Sequence, residues 1–284
     1  MSVTTRFAPS PSGLLHAGHA YSALRAWDFA TKHGGNFILR IEDIDFNRCN
    51  REYEDLLKRD LAWLGLEWQE PTRRQSDHIE DFQQAADQLA GGGLLYPCFC
   101  TRKEILAEIE RAGGAPHGSE GPVYPGTCRS LSNDEGAARI AAGENYALRL
   151  DLSAALLRFS TAFEWQDLES GTITVSADDW AQIGDVVLVR KDIKTSYHIA
   201  VVIDDALQGI SHIVRGKDLF ESTHIHVLLQ ALLGLPQPVY LHHELITDRD
   251  GKRLAKRDES ETLAALREKG VTVAQLREKL GLSL

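Results

Sequence analysis

Cysteine is scarce in this chain: four occur in 284 residues, at positions 49, 98, 100 and 128. Three fall within 31 positions and Cys49 stands apart, so they do not make the framework of a secreted disulfide protein. Reduced thiols in the cytoplasm are the expectation, with Cys49 an ordinary lone thiol. No apolar run of 18 residues occurs, so no membrane-crossing helix and no membrane partner is expected. The opening residues MSVTTRFAPSPSG lack the apolar core of a secretory signal. Basic residues are in deficit, 31 Lys and Arg against 41 Asp and Glu, a formal net charge of −10. A uniformly basic nucleic-acid binder is thereby excluded, but a local basic surface is not. There is no internal repeat and no low-complexity tract.

Hydrophobic residues make up 43% and charged residues 25%. That composition buries a real core without disulfides or a partner copy; a monomer is the expectation, though composition does not decide it. Strand and helix patterns alternate from the start. Val3–Ala8 reads as a strand stopped by Pro9 and Pro11, and His16–His33 as a helix ended by Gly34-Gly35. Phe37–Ile41 reads as a strand, and Arg51–Leu64 and His78–Ala90 as helices. The alternation predicts an α/β fold with a parallel sheet covered by helices.

Gly91-Gly92-Gly93 breaks the pattern. A less regular stretch follows, with a helix over Thr101–Ala112, a Gly/Pro-rich loop from Gly113 to Gly126, and strand-like pieces at Tyr146–Leu150 and Thr161–Trp165. Buried strands are expected to resume at Val186–Arg190, Ala200–Ile203 and His212–Val214. A helix over Leu219–Leu233, a strand near Val239–Ile246 and two short helices complete the chain. Residues 1–92 and 181–246 thus read as two halves of one sheet domain and 93–180 as an insertion. Residues 247–284 read as a charged loop with the terminal helices. From Arg249 onward, nine Lys/Arg face six Asp/Glu, a local charge of +3.

Two stretches carry phosphate chemistry. His16-Ala17-Gly18-His19 opens a helix just after a strand and a Pro-rich turn, where helix N–H groups and the dipole favour anions. Gly18 allows a base or ribose close to the backbone, and two histidines three apart share one helix face. Taken alone, such a pair is more often a surface feature. Lys252, Arg253, Lys256 and Arg257 put four cations within six positions, suited to a polyphosphate or simply to solvent.

Together these residues carry a resemblance. Arg6-Phe7-Ala8-Pro9-Ser10-Pro11-Ser12-Gly13 followed by His16-Ala17-Gly18-His19 resembles the HIGH signature of class I glutamyl-tRNA synthetases. Arg253-Leu254-Ala255-Lys256-Arg257 resembles their KMSKS signature, with Ala255 in place of the usual Ser. Leu39–Asp43 and Ile213–Leu219 resemble further blocks of the family, in its order. A second departure is His224-Ile225-His226, where the family often has a more basic stretch. Only 27 residues follow Arg257, where full-length members continue into an anticodon-binding region. With the cysteine cluster, this makes the chain similar to the glutamyl-queuosine tRNA(Asp) synthetases. That family joins glutamate to the queuosine base in the anticodon of tRNA-Asp.

The resemblance implies a Rossmann-like parallel sheet with an inserted zinc-bearing subdomain and short C-terminal helices. It implies glutamyl-adenylate formation from L-glutamate and ATP without RNA, with Mg²⁺ accompanying ATP. Transfer to the queuosine-bearing anticodon stem-loop would follow. His16, His19 and Lys256 would be catalytic, with Gly18 joining them at ATP. Arg6, Ala8, Ser10, Glu42, Tyr197 and Arg215 would bind glutamate. The chemistry agrees, since guanidinium groups fork onto carboxylates and Glu42 can receive an ammonium. Cys98, Cys100 and Cys128 supply three soft ligands for a structural zinc. Tyr124 is the fourth by resemblance, while His117 is the chemically more usual ligand in the same loop. Three other readings remain open: a truncated synthetase charging the 3′ end of tRNA-Glu, a nucleotidylyltransferase sharing HxGH, and an inactive paralogue that only binds RNA.

Overall fold

The computed structural model describes residues 2–111, the backbone of 117–118, and residues 121–246 and 261–282. Ala255, Lys256 and the whole KMSKS-like stretch lie outside the described residues, as does the side chain of His117.

The amino-terminal third folds as β1 (Thr4–Phe7), α1 (Ala17–Lys32), β2 (Asn36–Ile41), α2 (Arg51–Trp63), β3 (Arg73–Arg74) and α3 (Ile79–Gly91). β1, β2 and β3 pair in parallel, Arg6 opposite Ile38 and Arg40 opposite Arg73. Gly34, at φ +60°, turns the chain out of α1 in a conformation that a side chain would disfavour. The strands and helices expected here match the observed ones to within two residues, while the two-residue β3 was not expected.

The chain then builds β4 (Leu95–Cys98), α4 (Arg102–Arg111), a short hairpin of β5 (His117–Gly118) and β6 (Gly121–Pro122), α5 (Asn133–Ala141), β7 (Ala147–Leu150) and α6 (Leu152–Leu156). It continues with β8 (Glu164–Asp167), β9 (Gly171–Thr174), α7 (Ala177–Ile183), β10 (Val187–Val189), α8 (Tyr197–Leu207), β11 (His212–Gly216), α9 (Ser222–Leu233) and β12 (Val239–His243). The short helices α10 (Leu263–Glu268) and α11 (Val273–Lys279) come last, as expected.

Three of the differences from the sequence reading bear on the site. Ala200–Ile203 is not a strand but the middle of α8. Every residue from His198 to Asp205 is buried, so the run has no polar stripe to betray a helical period. Val187–Val189 does not rejoin the main sheet but pairs antiparallel with β7, in the order β10-β7-β4. The strand near residue 165 runs Glu164–Asp167 and pairs in parallel with β12, in the order β11-β12-β8-β9.

The parallel groups meet at β1 and β11, where the Ser211 amide donates to Thr4 O at 3.1 Å and the Thr4 amide to Ser211 Oγ at 2.8 Å. Successive side chains on these strands point to opposite faces. Ile213 and Tyr240 enter one core with Phe82, Leu89, Ile199 and Leu228. Val214 and Leu241 enter the other with Leu24, Leu39, Leu57, Leu61, Leu263 and Leu266. Each fully buried Leu contributes roughly 1.5–3 kcal/mol relative to exposure. The carboxyl ends of β1, β2, β11 and β12 therefore open along one edge, at a point where the strand order reverses. Open α/β sheets bind ligands at such a point.

Candidate active site

A cleft of about 590 Å³ lies at that edge, lined by Arg6, Ala8, His16, Gly18, His19, Glu42, Tyr197 and Arg215 among others. Eight residues named from the sequence are thus brought together. Ser10 is exposed and is not among the lining residues.

His16 and His19 cap α1 reciprocally. The Gly18 amide donates to His16 Nδ1 at 3.1 Å, and the His16 amide donates to His19 Nδ1 at 3.2 Å. Both Nδ1 atoms act as acceptors, so each neutral ring carries its proton on Nε2 and is a donor there. The rings lie 3.9 Å apart by centroid. A Cβ on residue 18 would sit 3.1 Å from His16 Cε1, so glycine also lets this ring fold back over the helix start.

Beneath the cleft runs a buried ion network. Arg6 Nε donates to Asp205 Oδ1 at 3.0 Å, and Arg40 NH1 donates to the same oxygen at 2.8 Å. Arg40 NH2 also donates to Glu42 Oε1 at 2.9 Å. Burial pushes the Glu42 carboxyl up, opposed by Arg40 and Arg6. Asp205 moves the other way: against its burial, Arg6 and Arg40 hold it below the ordinary carboxylate value. Arg6, expected to meet a substrate carboxylate, therefore already has a carboxylate partner.

Arg215 has none. The residue is 5% exposed, and its guanidinium makes no ion pair with any described carboxylate. It donates from Nε to His242 Nε2 at 3.1 Å, and from NH2 to Thr223 Oγ1 at 2.7 Å and Leu219 O at 3.1 Å. From NH1 it reaches Tyr197 Oη at 3.5 Å and His226 Nδ1 at 3.4 Å. Thr223, His226 and His242 were not named as site residues from the sequence. The His-x-His at 224–226 was visible there as a departure, but its link to Arg215 was not. Tyr21, Asp218 and His243 also line the cleft without having been named.

The cysteine cluster lies apart from the cleft, at the end of β4 and in the segment before α5. The Sγ atoms of Cys98, Cys100 and Cys128 all lie within 4.8 Å of one another, and Cys100 Sγ is 3.4 Å from Cys128 Sγ. Tyr124 Oη is 3.5 Å from Cys98 Sγ and 3.6 Å from Cys100 Sγ, and it accepts from the Cys128 amide at 2.8 Å. Donors about 2.3 Å from one tetrahedral ion stand roughly 3.8 Å apart, so these residues fit a metal ion. Phe99, Leu131 and Tyr146 pack around them. Lys191 Nζ reaches Phe99 O at 2.8 Å and Cys100 O at 3.1 Å, which ties the cluster to the segment between β10 and α8.

A parallel sheet with a helix start and an unbalanced guanidinium at its open edge has the form of a class I aminoacyl-tRNA synthetase core, a ligase. The chain belongs to the family described as tRNA synthetases class I (E and Q), catalytic domain, whose family model matches residues 2–283. It is 46% identical to the Glutamyl-Q tRNA(Asp) synthetase of Rhodobacter capsulatus, over 98% of this chain and 99% of that one. It is 38% identical to the Glutamate--tRNA ligase of Aquifex aeolicus, over 94% of this chain and 54% of that one. Among solved structures it is similar to a glutamate tRNA ligase from Elizabethkingia meningosepticum in complex with its amino acid. That similarity has a TM-score of 0.78 at 29% identity and covers 95% of this chain. The chain spans 58% of that structure's length.

Proposed function

We propose that this chain forms glutamyl-adenylate from L-glutamate and ATP without RNA, then transfers the glutamate to the queuosine base in the anticodon loop of tRNA-Asp. The observation that carries the amino acid is Arg215, a buried cation at the cleft with no carboxylate partner among the described residues. A substrate carboxylate supplies the missing charge, and a bidentate guanidinium–carboxylate pair is the strong form of that contact. The neutral amide of glutamine supplies none. Glu42 lies in the same cleft as the partner for the substrate ammonium, and Tyr197 Oη stands beside Arg215 as a further donor.

Activation is an in-line displacement. A carboxylate oxygen of glutamate attacks the α-phosphorus of ATP, the bond to the bridging oxygen breaks, and pyrophosphate leaves. No protein nucleophile takes part, so the residues contribute positioning and charge stabilisation. The Nε2–H donors of His16 and His19, with Lys256, hold the phosphates as charge moves onto pyrophosphate. Gly18 keeps the helix start open to the nucleotide. Mg²⁺ arriving with ATP supplies further neutralisation. Cys98, Cys100, Tyr124 and Cys128 would hold a structural zinc, for which thiolates are the preferred donors.

The queuosine acceptor is supported by the relatives named Glutamyl-Q tRNA(Asp) synthetase at 41–46% identity. Unpaired loop bases are also the part of RNA that proteins read most readily. The test has two steps. ATP–pyrophosphate exchange should proceed with glutamate alone and hardly with glutamine. Labelled glutamate should then enter tRNA-Asp, or its isolated anticodon stem-loop, only when queuosine is present. Charging of queuosine-free tRNA-Glu at its 3′ end, with queuosine-bearing tRNA-Asp inert, would replace this acceptor by the other.

A further inference from the structure

Arg215 is held from behind by neutral groups, and their protonation can be read from the hydrogen bonds. Every guanidinium N–H is a donor, so each imidazole nitrogen facing it must be an acceptor. His242 Nε2 therefore carries no proton, and its Nδ1–H donates to Asp167 Oδ2 at 2.8 Å. Asp167 also accepts the His242 amide at 3.1 Å, the Glu169 amide at 3.0 Å and the Ser170 amide at 2.9 Å. Four donors fix this carboxylate in place, and it in turn fixes the plane and tautomer of His242. On the other side His226 Nδ1 accepts from Arg215, so its Nε2–H points to His198 Nδ1 at 3.2 Å.

A carboxylate where His242 stands would hold Arg215 equally well but would cancel its charge. An imidazole with the carboxylate one residue further back holds the guanidinium and leaves the charge for a ligand. We propose that His242, oriented by Asp167, is a positioning residue for Arg215: it aims the guanidinium into the cleft without neutralising it. This rests on the reading of Arg215 as the carboxylate ligand. It identifies residues outside the cleft lining that set the selectivity for an anionic amino acid.

Asn and Gln separate the two ring nitrogens. In His242→Gln the amide oxygen can reach the Nε2 position and accept from Arg215. In His242→Asn the shorter amide stops near the Nδ1 position and faces Asp167 alone. Exchange kinetics on the full chain should show that His242→Asn and His242→Ala raise the KM for glutamate roughly tenfold or more. The KM for ATP should stay within twofold, and the preference for glutamate over glutamine should narrow. His242→Gln should restore most of the loss. A purely structural role would lower thermal stability in all three variants and leave both KM values alone, which overturns the proposal.

A second readout needs no substrate. The Arg215 Nε–H proton, assigned by its loss in Arg215→Lys, should exchange slowly with solvent in wild type and His242→Gln and quickly in His242→Asn. Equal protection in all of them also overturns the proposal. If wild type shows no glutamate-dependent exchange, the glutamate reading fails, and this proton still decides whether His242 positions Arg215.

Discussion

His16 and Thr262 face each other across an antiparallel bridge, and the Leu263 amide donates to Leu15 O at 2.9 Å. Ile246, the last described residue before the cationic stretch, lines the cleft. The described residues on both sides of 247–260 thus lie at the cleft or at the start of α1, which lines it. Lys256→Ala should lower the adenylation rate roughly a hundredfold to a thousandfold, as expected when one transition-state charge contact is lost. The melting temperature should not change. Wild-type exchange in the variant would remove Lys256 from the chemistry.

Arg215→Gln should abolish measurable glutamate binding in calorimetry, and Arg215→Lys should weaken it by at least tenfold, because a lysine cannot form the planar fork. Arg6→Lys should be milder, since Asp205 already balances that charge. Equal losses at the two positions would show that the two cations share the substrate carboxylate.

Metal analysis of protein purified without chelator should give one zinc per chain. Cys100→Ser should lose it. Tyr124→Phe and His117→Ala then identify the fourth ligand: retention in the first with loss in the second assigns it to His117.

Acid should destabilise the fold through its buried histidines. Burial first, then Arg215, lowers His242 to about 4 from an ordinary value of 6.5, against the pull of Asp167. Burial, Arg215 and His198 hold His226 well below the ordinary value. Between those two pH values the unfolded chain binds more protons than the folded one, so stability falls as pH falls. The His242 contribution is complete above about pH 6.5 and lost below about 4, roughly 3 kcal/mol in all. Denaturant titrations at pH 7 and pH 5 should show it, and His242→Gln should flatten the difference.

The local elements were legible because their signals are local. The turn at Pro9 and Pro11, the capping histidines and the Gly34 stop all sit beside the segments they delimit. Helix α8 was not legible, because burial on all sides erased its period. Arg215 could be named from its motif, but its holders could not. Asp167 and His242 meet only because β8 pairs with β12, and that pairing joins positions 75 residues apart. A single sequence carries no sign of it.

That pairing also bears on any attempt to transplant the activation core onto another RNA-reading body. Excision of 93–180 as one cassette would remove β8 and β9, and with them the carboxylate that steadies His242. The trimmed protein would keep every lining residue of the cleft and still lose its aim. A portable version of this core has to retain Glu164–Thr174 as an edge of the sheet, with the junctions placed on either side of that hairpin.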